Sequence, residues 1–111
     1  PRYIAPEQTI PGNYIDHRAD LYALGMTFFE LVTGGRHPFE DLFDHHPRAL
    51  LQAHREREPL PVSHFLSDSV PAAKGRAIDA FFTKACSKPA HHRFADAAQM
   101  KEALNELAKF G

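Results

Sequence analysis

The sequence predicts a mainly α-helical fold built as one domain or one part of a larger domain. Three observations carry this. Four stretches, about 18–33, 47–57, 70–87 and 97–109, have the length and apolar spacing of helices. Proline, glycine and serine cluster between them as loop signals. With 111 residues, 43% of them hydrophobic, the chain is too short for a second independent core.

Residues 1–16 carry three prolines and one glycine, which interrupt any periodicity and leave room only for a helical turn around Pro6, Glu7 and Gln8. From Arg18 to Thr33 the run is long enough for a helix, with Asp16 as the expected N-cap and Gly34-Gly35 as the stop. Its apolar side chains, Leu21, Tyr22, Leu24, Met26, Phe28, Phe29, Leu31 and Val32, point all the way round the helix axis. Such a helix needs cover on every side, and three further helices are too few to give it.

The next segment, from Asp44 to Arg57, reads as an amphipathic helix with Leu50, Leu51 and Ala53 on one side and Pro47 acceptable in the first turn. Residues 58–71, EPLPVSHFLSDSVP, read as an ordered connection anchored by Phe65 and Leu66. Ile78, Phe81, Phe82 and Ala85 then recur at helical spacing. The last helix opens on Asp96 with Gln99 three positions on, a capping-box pattern, and carries Met100, Ala103, Leu104 and Leu107 on one face.

Thirteen basic residues against fourteen acidic ones leave a formal charge of −1, without the basic excess of a nucleic-acid binder. Cys86 is the one cysteine, so no internal disulfide can form, and no apolar run is long enough for a signal or a membrane span. These features predict a cytoplasmic segment without membrane contact, although a whole protein could still be tethered. The chain opens on proline within an irregular loop, which leads us to expect coding sequence upstream.

Three blocks, PRYIAPEQ at 1–8, DHRADLYALGMTFFELVTGGRHPF at 16–39 and HRFADAAQM at 92–100, resemble the C-terminal lobe of serine/threonine protein kinases. Ala5-Pro6-Glu7 stands where that family has its A-P-E signature at the end of the activation segment. The force lies in order and spacing, because APE alone is a weak motif. It is followed by an aspartate opening a hydrophobic helix, a G-x-x-P-F stretch and an arginine shortly before the final helix. Tyr3-Ile4-Ala5 resembles the serine/threonine branch of the family, and the wording at 17–25 together with the alanine-rich last helix resembles its bacterial members.

The resemblance implies roles for individual residues. Glu7 and Arg93 match a buried ion pair that ties the activation-segment end to the late helices, a pairing that suits the bidentate fork of arginine. Asp20 matches an aspartate that accepts hydrogen bonds from the backbone of the catalytic loop. Gly25, unfavourable in a helix interior by about 1 kcal/mol, points to close packing of a neighbouring element. Pro1, Arg2, Tyr3 and Ile4 match the loop that receives the substrate residue after the phosphoacceptor. The parent protein would use ATP and Mg to phosphorylate protein Ser/Thr hydroxyls, with its N-lobe and catalytic loop packing on this segment.

This segment holds neither the G-x-G-x-x-G loop, nor the V-A-I-K lysine, the H-R-D catalytic loop or the D-F-G metal site. No catalytic, cofactor-binding or metal-binding residue is therefore expected within it, and it should be inactive alone. His17-Arg18-Ala19-Asp20 is no catalytic HRD, since Ala19 intervenes. Two alternatives stay open: a pseudokinase or truncated module that only binds protein, and an unrelated helical domain. Eight histidines raise a metal site, above all at His45-His46 and His91-His92 beside Cys86, but neither HExxH nor CxxC is present. Cys86 itself reads as a small core residue beside Phe81, Phe82 and Ala85, and 55–59 as a solvated helix end.

Overall fold

The computed structural model describes residues 1–110. Four α-helices, α1 Arg18–Thr33, α2 Pro47–Glu56, α3 Ala72–Ala85 and α4 Ala97–Ala108, are joined by loops with short 3-10 turns, and no strand occurs among the described residues. The mainly α prediction is therefore correct.

Helix α1 is the axis of the molecule. The carboxylate of Asp16 accepts the amide of Arg18 at 2.9 Å. The residue at the helix boundary is nonetheless His17, whose own side chain makes no cap bond, so the expected N-cap lies one position too early. The helix stops at Gly34 and Gly35, whose φ angles of 72° and 101° are open to glycine and costly for a side chain.

Helices α2 and α3 are shorter than the sequence suggested. Arg57 is extended (φ −95°, ψ 131°) ahead of Glu58-Pro59, which ends α2 at Glu56. Pro71, extended itself, precedes the first residue of α3 and cannot donate to a helical turn. Asp96 caps α4 by accepting the Gln99 amide at 2.8 Å, while the Gln99 side chain reaches back to the Ala95 amide at 2.8 Å.

Tyr22, Met26 and Phe29 of α1 meet Phe82 and Ala85 of α3, Phe39, Val62 and the Leu50–Ala53 face of α2 in one core. Phe29 packs edge-on against both Phe82 and Phe65, with centroids 5.0 and 5.5 Å away. Phe65 and Leu66 anchor the connection before α3, and Asp79 fixes it by accepting both the amide and the hydroxyl of Ser63.

The body is a slab only 17 Å deep, less than two helix diameters. One side of α1 therefore stays open: Leu24 is 52% exposed and Leu31 77%. These two form an apolar groove with Phe28, Phe81, Met100 and Leu104. A side-chain distribution that surrounds the helix axis is thus met by core on one side and solvent on the other.

Candidate functional site

The site is the end of the irregular segment 1–9 and the residues that clamp it to the helical body. Pro6 at the start of the turn Pro6–Thr9 is buried, as is Ala5, whose amide donates to Gln8 Oε1 at 2.8 Å. This places Glu7 facing inward, where Arg93 meets it.

Arg93 is enclosed, with 0% of its side chain exposed against 10% for Glu7. Both ends of its fork engage the carboxylate, Nη1 to Oε2 and Nη2 to Oε1, each at 2.7 Å. The remaining donors go to backbone carbonyls: Nε to Ser87 at 2.7 Å, Nη1 to Arg18 at 3.1 Å and Nη2 to Lys88 at 3.0 Å. All five guanidinium donors are satisfied, and the group lies 4.9 Å from the Tyr22 ring centre. One side chain thus links the segment 1–9, the first turn of α1, the end of α3 and the loop before α4.

Gly25 is the contact point of α1 and α3. A Cβ built there would lie 2.5 Å from Cys86 Sγ and 2.9 Å from Ala85 Cβ. We expect Gly25→Ala to lower stability by about 1–2 kcal/mol, because overpacking outweighs the helix propensity gained. Denaturant unfolding of the variant measures this, and a gain in stability would mean that Cys86 can swing aside. Cys86 is buried, its thiol pKa is pushed up by that burial, and Sγ lies 3.5 Å from the Tyr22 carbonyl. This is the environment of an inert core thiol.

Asp20 is exposed, and its carboxylate makes no hydrogen bond among the described residues. Pro1, Arg2 and Tyr3 are exposed and Ile4 is half-buried. Arg2 lays its guanidinium over Phe43, 4.2 Å from the ring centre. Tyr3 lies near Glu30, whose carboxylate pushes the phenol pKa above its usual value.

Two histidines that the sequence reading did not single out lie under this segment. The Phe39 amide donates to His37 Nδ1 at 3.0 Å, which leaves the ring proton on Nε2, and Nε2 donates to the Arg2 carbonyl at 2.8 Å. His54, with 0% exposure, shares a 2.7 Å hydrogen bond between its Nδ1 and the Tyr22 hydroxyl. Burial drives the pKa of both rings down, that of His54 to about 4. Lys88 closes the end of α2 by donating to the Ala53 and His54 carbonyls at 3.2 and 2.8 Å.

Spacing could have flagged His54, since it falls four residues after Leu50 on the apolar stripe of α2. The paired histidines take no part in this site: His91 and His92 stack edge-on against each other, and His46 caps α2 through the Arg48 amide. Among the described residues no group of three or more His, Cys, Asp or Glu is gathered to hold a metal ion, and none of the phosphate-binding or Mg-binding motif residues is in the sequence. No helix there is long and apolar enough to cross a membrane.

No family model matches the chain. Individual bacterial proteins do. A probable serine/threonine-protein kinase of Corynebacterium efficiens is 38% identical over 108 residues, which is 97% of this chain and 16% of that protein. Serine/threonine-protein kinase PksC of Streptomyces coelicolor is 37% identical over 111 residues, 99% of this chain and 18% of its own length. Serine/threonine-protein kinase Pkn1 of Myxococcus xanthus is 40% identical over 104 residues, 94% and 14% respectively. The chain therefore spans less than a fifth of these relatives. Its helical body, its APE segment clamped by a buried arginine and a similarity that runs along nearly its whole length agree, and the chain belongs to the family of bacterial serine/threonine protein kinases, as a C-lobe portion of the kinase domain.

Proposed function

We propose that the protein containing this chain transfers the γ-phosphoryl group of ATP to Ser or Thr hydroxyls of protein substrates, and that residues 1–111 serve as the scaffold of its C-lobe. The observation that carries the reading is the five-donor clamp of Arg93 on Glu7, which fixes the segment 1–9 to the helical body. In this reading Pro1, Arg2, Tyr3 and Ile4 form the platform for the substrate residue after the phosphoacceptor, and the free carboxylate of Asp20 receives backbone amides of the catalytic loop. ATP and Mg are held elsewhere in the protein, because this chain has no residues that fit them.

The open apolar groove along Leu24, Phe28 and Leu31 is covered, on this proposal, by the rest of the kinase domain. Its lining is almost wholly apolar, as expected of a face made for a packed helix rather than for water. The relatives have ample further chain to supply one. We further place the protein in the cytoplasm, where ATP is the phosphoryl donor and a lone buried thiol stays reduced.

The test is incorporation of labelled phosphate from Mg-ATP into protein substrates by the intact protein, followed by phosphoamino-acid analysis. Phosphoserine or phosphothreonine is the expected product. Absence of transfer by an intact, folded protein would reject catalysis and leave a protein-binding pseudokinase.

A further inference from the structure

The loop between α1 and α2 carries a side chain whose one long-range polar contact is to the segment 1–4. His37 is buried at 2% exposure and sits among three rings: Phe43 at 5.0 Å, Phe39 at 5.9 Å and His54 at 5.9 Å between centroids. Its tautomer is fixed by the Phe39 amide on Nδ1, so Nε2 can only donate, and the Arg2 carbonyl 35 residues away is its acceptor. Arg2 is held a second time on the same loop by its stacking on Phe43, the ring that also packs against His37. Behind His37, His54 of α2 abuts it edge-on and is tied in turn to Tyr22 of α1. A continuous set of contacts thus runs from the central helix through two buried rings to one backbone carbonyl at the exposed segment.

We propose that His37, with Phe43, is a positioning residue that sets the backbone of Pro1–Ile4 and thereby the affinity for the protein substrate. The proposal rests on the kinase reading above and adds to it which residues outside the segment hold it. Tyr3 and Ile4 follow the pinned carbonyl directly, so release of Arg2 frees the part that a substrate backbone would meet. Burial favours the neutral ring of His37, the form that this pair of hydrogen bonds requires.

The experiment is steady-state kinetics of the intact protein with a phosphorylatable peptide, for His37→Leu, His37→Gln and Phe43→Leu. We expect His37→Leu to raise the peptide KM about three- to tenfold, the size of one lost hydrogen bond, with kcat and the KM for ATP within about twofold. Glutamine can place an amide N–H near the Nε2 position, so His37→Gln should recover most of the loss. Phe43→Leu changes a half-exposed side chain and should raise the peptide KM about twofold or more, which keeps the test open if His37→Leu does not fold. A wild-type protein that phosphorylates the peptide with a KM unmoved in the folded variants would overturn the positioning role alone. Equal rises in the KM for ATP and for peptide, or a fall in kcat well beyond twofold, would overturn it as well, by showing general damage. A wild-type protein that transfers no phosphate would overturn the kinase reading, and this inference with it.

Discussion

Arg93→Ala is expected to lower the stability of the 111-residue chain by about 3–5 kcal/mol, the cost of removing one partner from a buried ion pair. The size follows from what is left behind. Glu7 keeps its carboxylate at 10% exposure without its fork, and the carbonyls of Arg18, Ser87 and Lys88 lose a donor at the same time. Against a total stability of about 5–15 kcal/mol for a typical domain, a loss of this size removes much of the folded population. Arg55→Ala is the control: this arginine is 38% exposed, faces Glu56 at 3.5 Å, and should cost no more than about 0.5 kcal/mol.

Arg93→Lys separates charge from geometry. An ammonium group has three donors where the site has five filled positions, so most of the loss should remain. Denaturant midpoints for the three variants decide the matter. Equal midpoints for Arg93→Ala and Arg55→Ala would mean that the clamp adds nothing to the fold. A double-mutant cycle with Glu7→Ala then assigns the share that belongs to the pair itself, apart from the three carbonyl bonds.

The contrast between what could be read in the sequence and what could not follows from the range of each signal. Helix α1 was legible because sixteen consecutive residues agree on one conformation and two glycines end it. Glu7 and Arg93 lie 86 residues apart and nothing local pairs them; the order of the motifs around each of them did so. The ends of α2 and α3 were overrun because periodicity does not register Pro71 or Pro59 as strongly as the backbone does.

His37 and His54 were missed for a different reason. A histidine is counted with the polar residues in an amphipathic pattern, so the place of His54 on the buried Leu50 and Ala53 side of α2 carried no weight. Its burial depends on Tyr22, 32 residues earlier, which supplies the partner that makes a buried ring acceptable. The open side of α1 shows the converse. Its apolar character was plain in the sequence, but only the arrangement of α3 and α4 decides which face of the helix stays uncovered, and that face carries Leu24, Phe28 and Leu31.

The buried histidines make acid stability the second large effect. Burial first, then the nearby charges of His37 and Lys88, hold the His54 ring pKa at about 4 in the folded chain, with the Pro1 backbone acting in the opposite direction. The ordinary value is 6.5. The unfolded chain therefore binds a proton at His54 below about pH 6.5 that the folded chain refuses until about pH 4. The His54 contribution is full above pH 6.5, falls as the pH drops through the window from 6.5 to 4, and is gone below it. The gap corresponds to a loss of roughly 3 kcal/mol. His37, also held down by burial, adds to the fall in the same direction. The carboxylates of Asp16, Glu40 and Asp41, all lowered by arginine or backbone partners, act in a separate window, below their ordinary values of 3.8 to 4.5. Denaturant unfolding between pH 7.5 and 4.5 thus reads mainly the two rings. His54→Asn removes the titration while leaving an acceptor for the Tyr22 hydroxyl. It should be less stable at pH 7.5, because the smaller side chain leaves a void, and its stability should depend less steeply on pH. Parallel profiles for the wild type and His54→Asn would place the acid sensitivity elsewhere and deny His54 its neutral, buried state.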